Sequence, residues 1–105
     1  MRWKMMLALA AGLAATTVPA AAQDKDTLYV RSLAATCANC HGTQGRAQPG
    51  SSVVSLAGMP AEHLIAQMAA FKAGTRSATI MHQLAKGYSD AQIAQIAAYF
   101  AAQSK

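Results

Sequence analysis

Apolar residues recur with a helical period in three stretches of the chain. Over residues 26–36, Leu28, Val30, Leu33 and Ala34, with Cys37 just beyond, take spacings compatible with one helical face. Asp24 and Asp26 put negative charge where a helix N-terminus is positive. Over residues 60–73, Leu64, Ile65, Met68 and Phe71 form a single stripe at i, i+1, i+4 and i+7. Pro60 suits a first helical position, Glu62 the first turn and Gly74 the stop. Over residues 89–103, Ile93, Ile96, Ala97 and Phe100 repeat at i, i+3, i+4 and i+7, and Ser89 with Gln92 matches a capping box. A shorter turn is predicted over residues 82–86, ending at Gly87. Sustained alternation of β-branched residues is missing, so strands are not expected. The pattern predicts an all-α chain of about three to four helices in one domain.

Between the first and second stretches lie Gly42, Gly45, Pro49, Gly50, Ser51 and Ser52, a loop composition. At about 20 residues it is long for a structureless connection in a small domain, and such loops usually serve a function. It is expected to wrap something.

The start of the chain has a different character. Arg2 and Lys4 precede an uncharged apolar or small-residue run over 5–18, broken by Pro19, and Ala20, Ala21 and Ala22 offer a small-x-small site before Gln23. That is the three-part pattern of a secretory signal peptide. Gly12, Thr16 and Thr17 make the run looser and shorter than the roughly 20 apolar residues of a spanning helix. Cleavage of residues 1–22 and export to the periplasm are expected, leaving one domain over 23–105 with no stable membrane insertion. An uncleaved anchor is the alternative.

Composition narrows the chemistry. The chain has 105 residues, 53% hydrophobic and 12% charged, which excludes a wholly disordered tail. Arg2 and Lys4 leave with the signal, so the formal +5 of the full chain falls to +3, and the remaining basic residues are scattered. With only 6% aromatic residues, nucleic-acid binding is not expected. Three histidines and four acidic residues are sparse material for a catalytic cluster, so the chain is expected to be no enzyme and to work through something it binds. A domain of this size buries a modest core and often needs a staple.

Cys37, Ala38, Asn39, Cys40 and His41 supply one. C-x-x-C-H is the attachment signature of c-type haem. Two thiols one turn apart add to the two vinyl groups of the porphyrin, and the histidine that follows is placed beneath the iron as an axial ligand. Both cysteines of the chain fall in the motif. Three other chemistries fit the motif less well. A thioredoxin-like dithiol needs a βαβ context that the pattern does not offer. Zinc held by Cys37, Cys40, His41 and either His63 or His82 lacks a second paired knuckle, and adjacent Cys40 and His41 suit one tetrahedral ion poorly. A Cys37–Cys40 disulfide would close a very small loop.

The iron's other axial position has several contenders. Met68 belongs to a helical stripe and suits packing. Met59 stands at a helix start, 18 residues after His41. Met81 follows the loop 74–80, which can fold over the ring face opposite His41, and is the preferred ligand. His82 is its rival. Methionine paired with histidine makes an electron-transfer site of raised potential.

Cys37, Ala38, Asn39, Cys40, His41 and Gly42, the turn Leu56, Ala57 and Gly58, and the segment Ala78, Thr79, Ile80 and Met81 followed by Lys86, Gly87, Tyr88, Ser89 and Asp90 resemble a small class I cytochrome c. The likeness is in particular to the single-haem units related to the cytochrome subunit of flavocytochrome c sulfide dehydrogenase, and it covers residues 25–103. The resemblance implies crossing N- and C-terminal helices with the haem edge-on between them. It also implies one haem c on Cys37 and Cys40, with His41 and Met81 axial. Family members place a proline shortly before the Leu-Ala-Gly turn, its carbonyl holding the ligand histidine's second nitrogen. Val53, Val54, Ser55 and Leu56 contain none, and Pro49 is the nearest, but any residue's carbonyl can serve. Tyr88 is a candidate to hydrogen-bond a haem propionate, and Tyr99 and Phe100 are expected in the core.

The function this implies is one-electron transfer between redox partners such as a dehydrogenase, an oxidase or another cytochrome, through brief docking. The other expectations are a permanent electron-accepting subunit of a dehydrogenase, for example a flavin-containing sulfide dehydrogenase, and a five-coordinate gas-binding haem protein.

Overall fold

Asp24 opens the first helix: its carboxylate accepts the Asp26 N–H at 3.4 Å and caps α1, Lys25–Ala35. The computed structural model describes residues 24–105, and the predicted signal over 1–22 lies outside the described residues. Ala34 is buried, with Val30 and Leu33 half-buried beside it. Leu28, predicted inward, is 48% exposed. At 3.6 residues per turn it lies about 120° round the helix from Ala34, off the buried face.

The motif itself forms one helical turn, α2, Ala38–His41, with Cys37 at its N-cap. The His41 N–H donates to the Cys37 carbonyl at 2.9 Å. Gly42 then turns the chain at φ +85°, and a Cβ there would stand 1.8 Å from the Arg46 carbonyl oxygen. Only glycine fits that return. A 3-10 turn follows, Thr43–Gly45.

The long connection is organised on one carbonyl. Gly45 O accepts the Leu56 N–H at 2.7 Å, the Ala57 N–H at 3.1 Å and the Ser55 hydroxyl at 2.8 Å. Gly45 has φ +78°, and a Cβ would meet the Phe100 ring at 2.7 Å, so the loop lies directly against the last helix.

Helix α3 is Ala61–Ala73, and Gly74 at its C-cap is left-handed as its position predicted. Pro60 is the N-cap, at ψ 132°, rather than the first helical residue. Leu64 and Met68 are buried, but Ile65, one step round the helix, is 38% exposed. Helix α4, Met81–Lys86, begins one residue before the predicted turn. Helix α5, Asp90–Ala101, carries the predicted capping box: the Gln92 N–H donates to Ser89 Oγ at 3.1 Å and the Ser89 N–H to Gln92 Oε1 at 2.9 Å. Its four predicted core residues, Ile93, Ile96, Ala97 and Phe100, are all buried.

The fold is all-α, with five helices, two of them short, where three to four were expected, and no strands among the described residues. The first and last helices pack on each other, and α3 packs on both α4 and α5. Polar ties reinforce these contacts. Gln92 Nε2 donates to the Tyr29 hydroxyl at 2.9 Å, joining α5 to α1. Arg46 Nε donates to the Ser104 carbonyl at 2.9 Å and holds the end of the chain against the loop.

Candidate functional site

The buried core is small in volume. Among the described residues it holds nine apolar side chains, four of them alanines, Ala34, Ala57, Ala85 and Ala97, and Phe100 is the one large side chain fully enclosed. Larger apolar residues meanwhile face outward: Val54 is 58% exposed, Ile80 55% and Leu84 45%. A polypeptide that exposes valine, isoleucine and leucine around an alanine-rich interior lacks an apolar body to bury them against.

His41 is the one buried polar side chain among the described residues, 9% exposed. Its Nδ1 lies 2.7 Å from the Val54 carbonyl oxygen. A carbonyl only accepts, so Nδ1 carries the proton and Nε2 keeps its lone pair in the neutral ring. The acceptor comes from the stretch without proline, which answers the question of what replaces the usual residue. Holding one ring nitrogen in this way fixes the ring's orientation, as for metal-ligating histidines generally.

Cys37 and Cys40 flank the same turn, three residues apart, and both are free thiols. Cys37 is half-buried and Cys40 exposed. Burial pushes the Cys37 thiol up, the Thr36 hydroxyl pulls it back in part, and Cys40 adds to the rise. Cys37 is therefore held in its thiol form at neutral pH.

Met81 is the first residue of α4, half-buried, and packs against the core cluster together with Cys37, Leu56 and Met59. Met68 is inside that cluster, a packing residue as its stripe indicated. The fold thus brings the attachment segment and all three candidate methionines onto one core, Met68 inside it and Met59 and Met81 against it. His82 is half-buried, and its Nδ1 is enclosed with no hydrogen-bond partner among the described residues. Tyr88, proposed for a propionate, has its hydroxyl 2.6 Å from Thr36 Oγ1. Thr36 gives its own proton to the Leu33 carbonyl at 2.7 Å, so Tyr88 is the donor to Thr36 and has no proton left for a carboxylate.

Two free thiols at one-turn spacing, an oriented imidazole with an open Nε2, outward apolar side chains on the segments of Val54 and Met81, and an unpaired ring nitrogen at His82 together fit a covalently bound haem. Sequence reasoning had no means of seeing the Thr36–Tyr88 contact or the Arg46–Ser104 tie, since both join residues more than 50 positions apart.

A family model described as Cytochrome c matches residues 30–104. The chain is similar to the cytochrome subunit of sulfide dehydrogenase of Chlorobaculum tepidum, 40% identical over 73 residues, covering 70% of this chain and 64% of that protein. It is 37% identical over 67 residues to a thiosulfate dehydrogenase electron acceptor of Thiomonas intermedia, covering 64% and 31%. It is 36% identical over 100 residues to cytochrome c4 of Pseudomonas aeruginosa, covering 95% and 48%. The chain thus spans 64%, 31% and 48% of the lengths of these relatives.

Proposed function

The chain belongs to the cytochrome c family, which binds haem c covalently, and from that premise we propose that it is a periplasmic single-haem carrier of electrons between redox proteins. Cys37 and Cys40 hold the haem through thioether bonds, and His41 and Met81 bind the iron. The haem supplies a one-electron Fe(III)/Fe(II) couple.

The chain's residues set the terms of that couple. The observation that carries the reading is the 2.7 Å contact of His41 Nδ1 with the Val54 carbonyl, which leaves Nε2 as the ring's only free donor atom. Met81 offers a soft, neutral thioether, which favours the reduced state relative to a second imidazole. With His41 and Met81 both bound to the iron, small molecules would not be activated, and the chain would act as a carrier rather than a catalyst. Among the described residues no helix is long and apolar enough to cross a membrane.

A second reading follows from two relatives, a dehydrogenase subunit and a dehydrogenase's electron acceptor: the chain passes electrons from a dehydrogenase that it stays bound to. Copurification with a larger chain at fixed stoichiometry separates the two readings.

The direct test of ligation is the spectrum of the exported, matured protein. The ferric form is expected to show the weak near-infrared sulfur–iron charge-transfer band. Met81→Ala removes that band and lowers the reduction potential, whereas Met59→Ala and Met68→Ala keep it. A Met81→Ala protein with band and potential unchanged rules out Met81 as the ligand.

A further inference from the structure

Helix α4 begins at Met81 and packs on α3. Ala85, the smallest of its apolar side chains, is its only buried residue. Ile80 stands at its N-cap, where no side chain among the described residues provides a capping bond.

Its far end is held by Tyr88. The Tyr88 N–H donates to the Ala85 carbonyl at 3.3 Å. The Tyr88 carbonyl accepts from Lys72 Nζ of α3 at 2.6 Å, and the same ammonium reaches Asp90 at 3.0 Å. The Tyr88 hydroxyl donates to Thr36 Oγ1 at 2.6 Å, across 52 residues of sequence. Thr36 ends α1 and immediately precedes Cys37, whose Sγ lies 3.9 Å from the same oxygen. One hydroxyl pair therefore joins the chain beside the first attachment cysteine to the exit of the helix that starts at Met81.

We infer that the Tyr88–Thr36 hydrogen bond is a positioning clasp that holds the Met81 helix against the attachment segment and so sets how readily Met81 leaves the iron. The inference rests on the reading of Met81 as axial ligand. Neither Tyr88 nor Thr36 acts on the iron directly; both act through the placement of α4. Without the bond, α4 keeps its packing on α3 and the Lys72 tie at the Tyr88 carbonyl, and its local opening becomes easier by the net worth of one hydrogen bond, roughly three- to tenfold in population. Opening of α4 is local, so the rest of the fold need not change with it.

Imidazole titration of the ferric, matured protein measures this opening, because imidazole binds only when Met81 has left. The signal is the loss of the sulfur–iron band. Tyr88→Phe and Thr36→Val are each expected to raise the apparent imidazole affinity about three- to tenfold. The double variant rises no further than the larger single, because both remove the same bond. Thr36→Ser keeps the hydroxyl and matches wild type. Tyr29→Phe removes a different hydroxyl, the one that accepts from Gln92 between α1 and α5, and leaves imidazole affinity unchanged. If Tyr88→Phe fails to fold, as judged by far-UV circular dichroism, the Thr36→Val and Thr36→Ser pair carries the comparison. Single variants within twofold of wild type, effects that multiply in the double variant, or an equal rise in Tyr29→Phe overturn the clasp. A wild-type ferric protein without the sulfur–iron band overturns the Met81 reading instead.

Discussion

The Val54 carbonyl determines how His41 presents itself, and it does so with a backbone atom. That is why a stretch lacking the family's usual proline still serves: at 2.7 Å the acceptor is an oxygen that every residue carries. Gly42 is the opposite case, a position where the side chain is everything. At φ +85°, with a Cβ 1.8 Å from the Arg46 carbonyl oxygen, an alanine there meets both backbone strain and a collision. Gly42→Ala is expected to cost at least about 2 kcal/mol of stability, since unfavourable φ alone costs roughly 1–3 kcal/mol. Guanidinium unfolding of the matured protein measures this, and a midpoint equal to wild type contradicts it.

The helices differ in how plainly the sequence announced them. Helix α5 was legible residue by residue, because its apolar positions repeat at i, i+3, i+4 and i+7 and its capping box is a local pattern that needs no tertiary partner. Ser89→Ala removes the cap and is expected to lower stability by about 1 kcal/mol, read from the same unfolding curves. An unchanged midpoint would mean that the cap is redundant with the packing of α5. Helix α1 was legible in extent but not in facing: Leu28 is apolar and helically spaced, yet 48% exposed, because the buried stripe centres on Ala34. The long loop was recognised as a loop, but its internal order was hidden. It is built on the Gly45 carbonyl, which gathers Leu56, Ala57 and Ser55, and carbonyls leave no trace in a sequence pattern. Of the site, Cys37, Cys40 and His41 were legible because their chemistry demands contiguous spacing. Thr36 with Tyr88 was not, because a contact across 52 residues has no local signature.

At the scale of the whole molecule, the interior depends on something beyond the polypeptide. With four alanines among the nine core residues described, Phe100 is the largest side chain fully buried there. Phe100→Ala is expected to cost about 3–5 kcal/mol, enough to leave a domain of this size largely unfolded. Circular dichroism at 25 °C checks it, and a native-like spectrum with an unshifted midpoint contradicts it. By the same reasoning, the chain without haem has too little core to order itself. Cys37→Ser combined with Cys40→Ser is therefore expected to lose most of its far-UV helical signal as well as its colour. Native-like helicity in that variant would show that the polypeptide core suffices alone.

One measurement tests the central claim most directly: the intact mass of the exported, matured protein under denaturing conditions. The account predicts the mature chain plus a single haem that denaturant cannot strip, lost in the variant with both Cys37 and Cys40 changed to serine. A wild-type mass equal to that of the chain alone would contradict it.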